Sequence, residues 1–192
     1  MFHTLMKTIL LLAALLVAAP AFSQTHNNTV EDGADKLLMM RGKDPVSYFQ
    51  PSGPVEGKPE LKAEYDGATY RFASEANKQL FVASPEKYAP QYGGHCSNGM
   101  AYAIGGSRGE NHRIIDGKLY LFGGERSRAY FEMDLATNKK RADHYWATEY
   151  KGKNWRDVSS KFSRWGSRVD HYKTNRELAA EYEERLKKKA GK

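Results

Sequence analysis

The chain has 192 residues, 40% hydrophobic and 12% aromatic, with a single cysteine. That composition excludes an intrinsically disordered chain, and a lone cysteine excludes internal disulfide stapling, so the fold must rest on packing. The net charge of +7 is concentrated at one end: residues 150–192 hold 13 Lys and Arg against 6 Asp and Glu, while the rest of the chain holds 17 of each.

In chain order, Met1–Lys7 precedes an unbroken apolar run, Thr8–Ala19, which ends at Pro20. Small residues at Ala21 and Ser23 complete the pattern of a cleaved secretory signal over residues 1–23. The run is shorter than the roughly 20 apolar residues a spanning helix needs. The expected mature chain begins at Gln24 and is periplasmic or secreted. Residues 24–36 read as a polar leader, and residues 37–149 as the main domain.

Asp44-Pro45-Val46-Ser47-Tyr48-Phe49 reads as a turn into a short strand, and Gln50–Glu60, rich in Pro and Gly, as an exposed loop. Leu61–Tyr65 opens a hairpin that turns at Asp66-Gly67, a pair suited to the positive φ angles of a tight turn. Tyr70 and Phe72 alternate on the returning strand, and Ser74–Ser84 reads as a helix that points Phe81 back at the sheet. A glycine-rich stretch follows, with His95-Cys96 between Gly93-Gly94 and Gly99, the apolar run Met100–Ile104, and Gly105–Gly109.

The hairpin pattern then recurs at an offset of 50. Asp116, Gly117, Tyr120, Phe122, Glu125 and Phe131 match Asp66, Gly67, Tyr70, Phe72, Glu75 and Phe81. The domain is therefore read as two related β-hairpin–helix units, about 44–92 and 110–146, with a second helix over Glu125–Leu135. Residues 150–192 form a basic amphipathic helical extension. Trp155, Val158, Phe162, Trp165, Val169 and Tyr172 make one apolar stripe, and Thr174 with Glu177 forms a capping box for a final helix. This extension either packs on the domain or meets an envelope protein or an anionic membrane surface. An exported chain has no nucleic acid to meet, so none is expected as a partner.

Asp44, Pro45, Val46, Tyr65, Gly67, Tyr70, Phe72, Ser74, Lys78, Phe81, Pro85 and Tyr88 fit the pattern of the YHS domain, and the chain resembles that family. With Tyr48, Phe49, Pro90–Gly94, Cys96, Asp116–Leu121, Ala142, Asp143 and Trp146 it is similar to an exported subgroup, over about Leu37 to Trp146. The resemblance implies a small α+β module linked to metal handling. It also implies that the family's three thiol positions are held here by Ser47, Ala73 and Asn77, which cannot supply a thiolate.

Cys96 and His95 are then the best candidates for chemistry. A thiol beside an imidazole in a Gly-rich loop suits a soft or borderline ion, copper or zinc, with His112 as a third ligand and Met100 or His144 in reserve. Two other readings stay open: Cys96 as a thiol redox centre, and Cys96 as a buried structural residue. The expected function is non-enzymatic metal binding or metal-linked sensing. The alternatives are a thiol redox protein and an envelope scaffold acting through its C-terminal helices.

Overall fold

A computed structural model describes residues 26–104, 111–153 and 169–191. The expected secretory signal, Gly105–Gly109 and the stripe from Trp155 to Trp165 lie outside the described residues. The class is α+β, as expected. Strands β1 (Thr29–Asp32), β2 (Asp35–Met39), β3 (Lys58–Tyr65) and β4 (Ala68–Phe72) form a sheet in the order β1-β2-β4-β3. The β2–β4 pair is parallel and the other two pairs are antiparallel. Helices α1 (Glu75–Ala83) and α2 (Pro85–Tyr88) complete the first unit. After α3 (Ser97–Met100), the hairpin β5 (Asn111–Ile115) and β6 (Lys118–Phe122) leads into α4 (Glu125–Glu132) and α5 (Leu135–Tyr145). The final helix is α6 (Asn175–Ala190).

Both Asp-Gly turns form as the sequence requires: Asp66 and Asp116 each have φ of 50°, and Gly67 and Gly117 have 78° and 70°. The repeat extends to packing. Phe81 of α1 lies 4.7 Å from Tyr70 and 5.2 Å from Phe72 between ring centroids. Phe131 of α4 lies 6.2 Å from Tyr120 and 5.5 Å from Phe122. All six rings are at most 2% exposed.

Strand β6 joins the two units. Its side chains alternate across the strand: Leu119 and Leu121 enter the core around Tyr70, Phe72 and Phe81, and Tyr120 and Phe122 enter the core around Phe131, Met100 and Tyr150. One face of this strand was expected to be buried; both are, because the first unit covers the second face.

Three local readings are corrected. Residues 26–36 are not a leader: β1 and the start of β2 lie there, and Asn27 N–H donates to Gly93 O at 2.8 Å. Ser47–Phe49 is a 3-10 turn rather than a strand, because the Asp44 carboxylate accepts from Val46 N–H at 2.8 Å and closes a local turn. The helix after β6 breaks at Glu132 and resumes as α5, with Asn138 Nδ2 donating to the carbonyls of Tyr130 and Phe131.

The C-terminal helix packs back on the second unit. Thr174 and Glu177 form the full capping box, Leu178 is 2% exposed, Tyr182 meets Tyr130 edge-on at 5.9 Å, and Arg185 donates to Met133 O at 2.8 Å. Among the described residues no helix is long and apolar enough to cross a membrane.

Candidate functional site

Asp44 is fully buried and is the centre of a hydrogen-bond hub. Its Oδ2 accepts from Ala73 N–H at 2.8 Å and from Asn77 Nδ2 at 2.6 Å, and its Oδ1 accepts from Val46 N–H. Ser47 Oγ donates to Asp44 O at 2.6 Å and accepts from Val55 N–H at 3.0 Å. Ser47, Ala73 and Asn77, spread over three segments of sequence, therefore all converge on one residue. Ser74, the N-cap of α1, holds Asn77 in place by accepting its backbone N–H at 3.2 Å.

His95 and Cys96 leave a turn built from three consecutive left-handed residues, Tyr92, Gly93 and Gly94, with φ of 57°, 56° and 80°. Gly94 is irreplaceable on contact grounds as well: an added Cβ would lie 2.6 Å from Asn27 O and 3.2 Å from Met39 Sδ. His95 is fully buried, its ring 5.8 Å from that of Tyr150 and 6.2 Å from that of Trp146. Cys96 is 5% exposed, and its Sγ accepts from Gly123 N–H at 3.3 Å. At the repeat offset Gly123 corresponds to Ala73, so the thiol does for the second unit what the Asp44 carboxylate does for the first. Each receives the N–H that follows a buried strand Phe. His112, on β5, meets Tyr48 edge-on at 4.8 Å. Burial holds its pKa below the ordinary value, with Arg128 and Arg113 adding to the shift. Burial, helped by Glu56, pushes the Tyr48 phenol up to about 12.

A cleft of about 380 Å³ lies where the two units meet. The first unit contributes Tyr65, Asp66, Glu86 and Tyr92, the second contributes Lys118, Trp146 and Lys151, and His26 lies before β1. His26 is 6% exposed and bonds through Nε2 to Asp66 O, while its Nδ1 is buried without a hydrogen-bond partner. A carbonyl only accepts, so Nε2 carries a proton in this contact, and the Asp66 carboxylate lies 3.9 Å from the same nitrogen. Tyr92 donates its hydroxyl to Asp143 at 2.8 Å; burial, then the Asp143 charge, raises its pKa far above the usual phenol value. Glu86, Lys118 and Lys151 make no ion pair among the described residues.

Residues 46–92 match the family model of the YHS domain. The chain contains a YHS domain. No curated protein and no solved structure matches the chain. The match covers the first unit from Val46 to Tyr92, and the geometry explains its pattern: Val46, Tyr70, Phe72, Phe81 and Tyr88 are core, and Tyr92 enters the left-handed turn.

The family's link to metal handling can be tested against the residues present. The thiol positions of the YHS pattern do come together in space, but Ala73 offers only a backbone N–H and Asp44 has both oxygens engaged by donors. This group does not fit a soft metal ion. Nor does the structure unite the other candidates: among the described residues no three His, Cys, Asp or Glu side chains form a group able to hold a metal. His95 lies against Tyr150 and Trp146, Cys96 against Gly123 N–H, and His112 against Tyr48. The cleft, assembled from residues 26 to 151, was missed in the sequence. Its one legible sign was the Pro90–Gly94 turn, which forms part of its wall.

Proposed function

We propose that the chain is an exported, non-enzymatic binding protein, in which a YHS domain and a second unit of like build hold a small ligand in the cleft between them. The observation that carries this reading is His26 Nδ1, buried and unpartnered at the wall of a cavity lined by aromatic rings and by charges of both signs. Buried polar atoms nearly always have a partner, and a concave site with a few convergent polar groups is the default binding site of a domain. Export is supported by the signal pattern of residues 1–23. Binding without turnover is supported by the placement of the reactive groups. Cys96, His95 and Asp44 do not line the cleft, and Asp44 and Cys96 accept structural hydrogen bonds. Metal binding through Cys96, His95 and His112, and redox chemistry at Cys96, are the readings this one replaces.

The test is thermal unfolding of the full chain, purified after export, against separate panels of metal salts and small organic metabolites. A ligand at about 100 times its Kd adds about 2.7 kcal/mol of stability, which is readily detected. Stabilisation by an organic compound, abolished in the double variant Glu86→Gln, Lys118→Ala, is the expected result. Copper or zinc retained at one ion per chain and lost on Cys96→Ser would overturn it. Mass spectrometry of the purified protein should find Gln24 at the N-terminus; retention of Met1 would remove the export part.

A further inference from the structure

We infer that the ligand of the cleft is a short carbohydrate, an inference that rests on reading the cleft as the binding site. The argument starts from what the walls demand. His26 Nδ1 is buried at the wall without a hydrogen-bond partner, so the ligand must supply one. Asp66 and Glu86 call for donors, whereas Lys118 and Lys151 call for acceptors. The two signs come from four separate segments, so no single anionic or cationic group satisfies them. A ring carrying several hydroxyls does, since each hydroxyl donates and accepts, and it brings no net charge to be desolvated.

The aromatic residues add a second requirement. Trp146 is half-buried at the cleft with Tyr65, and Tyr92 stands between Tyr120 and Trp146, at ring distances of 5.8 and 6.3 Å. Aromatic side chains lining a cleft among polar ones suit a ligand with one apolar C–H face and hydroxyls around its edge, which describes a pyranose. The wall is also held rigidly. Tyr92 keeps a left-handed backbone, its hydroxyl is tied to Asp143, and Pro90 forms a bridge to Leu119 across the unit boundary. Backbone held in that region is a feature of ligand clamps. The volume lies within the range of about 300–1,000 Å³ usual for small-molecule sites.

The experiment is a glycan array of mono- to tetrasaccharides probed with the full chain, followed by calorimetry of the strongest hit on the wild type, Trp146→Ala, Trp146→Phe and Glu86→Gln. Affinity should fall roughly tenfold or more in Trp146→Ala and in Glu86→Gln, and Trp146→Phe, which keeps an aromatic face, should retain most of it. Far-UV circular dichroism checks each fold, and exposed Glu86 provides a variant that does not disturb packing. If the folded chain binds no glycan while an amino acid or nucleotide binds and is lost in Glu86→Gln, the carbohydrate inference fails and the cleft stands. If a glycan binds equally to all variants, both fail.

Discussion

At the residue scale the decisive side chains are two acceptors, Asp44 and Cys96. Each lies buried beneath a backbone N–H at the end of a strand; a turn within the first unit places Asp44, whereas the Tyr92–Gly94 turn before the second unit places Cys96. Asp44 serves Val46, Ala73 and Asn77 together, so its removal strands several buried donors at once. Each buried donor left without a partner costs about 1–3 kcal/mol, and Asp44→Ala should therefore destabilise the fold by about 3 kcal/mol or more in urea unfolding. A loss below about 1 kcal/mol would mean that water replaces the carboxylate. Among the described residues Cys96 has one weak donor, Gly123 N–H, and it is buried. It should resist a small thiol reagent in the native state and react fully once unfolded; fast native labelling would restore the redox reading.

At the element scale the first sheet is laced by ion pairs. Asp35 on β2 accepts from Lys62 on β3 at 2.7 Å and from Arg71 on β4 at 2.7 and 2.9 Å, and Arg71 also reaches Asp32 on β1 at 2.6 Å. The hydrogen bond from Lys62, followed by that from Arg71, holds the Asp35 carboxyl below its ordinary value. A carboxylate whose pKa is lower when folded contributes stability that is present above the unfolded value of about 3.9 and lost as pH falls through the folded value. Unfolding free energy should therefore decline below about pH 4, and Asp35→Asn should flatten that decline while lowering stability at pH 7. An unchanged acid limb in the variant would show that other carboxylates govern it. Two of the five basic residues of α6 make ion pairs along the helix, Arg185 with Glu181 at 2.8 Å and Lys188 with Glu184 at 2.7 Å. Exposed pairs of this kind contribute only a few tenths of a kcal/mol; the docking of Leu178 and Tyr182 is what seats the helix.

At the scale of the whole molecule, β6 is shared. It belongs to the second hairpin, yet Leu119 and Leu121 are part of the first core. The two units should therefore unfold together, in one transition seen alike by fluorescence and circular dichroism. Leu121→Ala should cost about 2–5 kcal/mol and move the whole transition. Two separable transitions, with only the second shifted, would mean the units are independent. The shared strand also contributes to the cleft, because its first residue, Lys118, lines it together with Tyr65 and Glu86 of the first unit.

Local chemistry was legible in the sequence wherever neighbours in the chain decide the outcome. The Asp-Gly turns, the alternating rings of β4 and β6, the Thr174 cap and the facing of Phe81 and Phe131 follow from side-chain period and backbone sterics within a dozen residues. The gathering of Ser47, Ala73 and Asn77 was legible too, through the family pattern. What the tertiary structure alone decided depends on residues far apart in the chain. The polar stretch before Leu37 becomes a strand because Gly94 lets Asn27 approach. β6 is buried on both faces because the first unit lies across it. His95 and Cys96 on a loop and His112 on β5 form no three-ligand group among the described residues, because each side chain has its own surroundings: Tyr150 and Trp146 for His95, Gly123 N–H for Cys96 and Tyr48 for His112. The cleft exists because segments from His26 to Lys151 converge there, and neither hydrophobic period nor residue spacing encodes which surfaces two packed units leave uncovered.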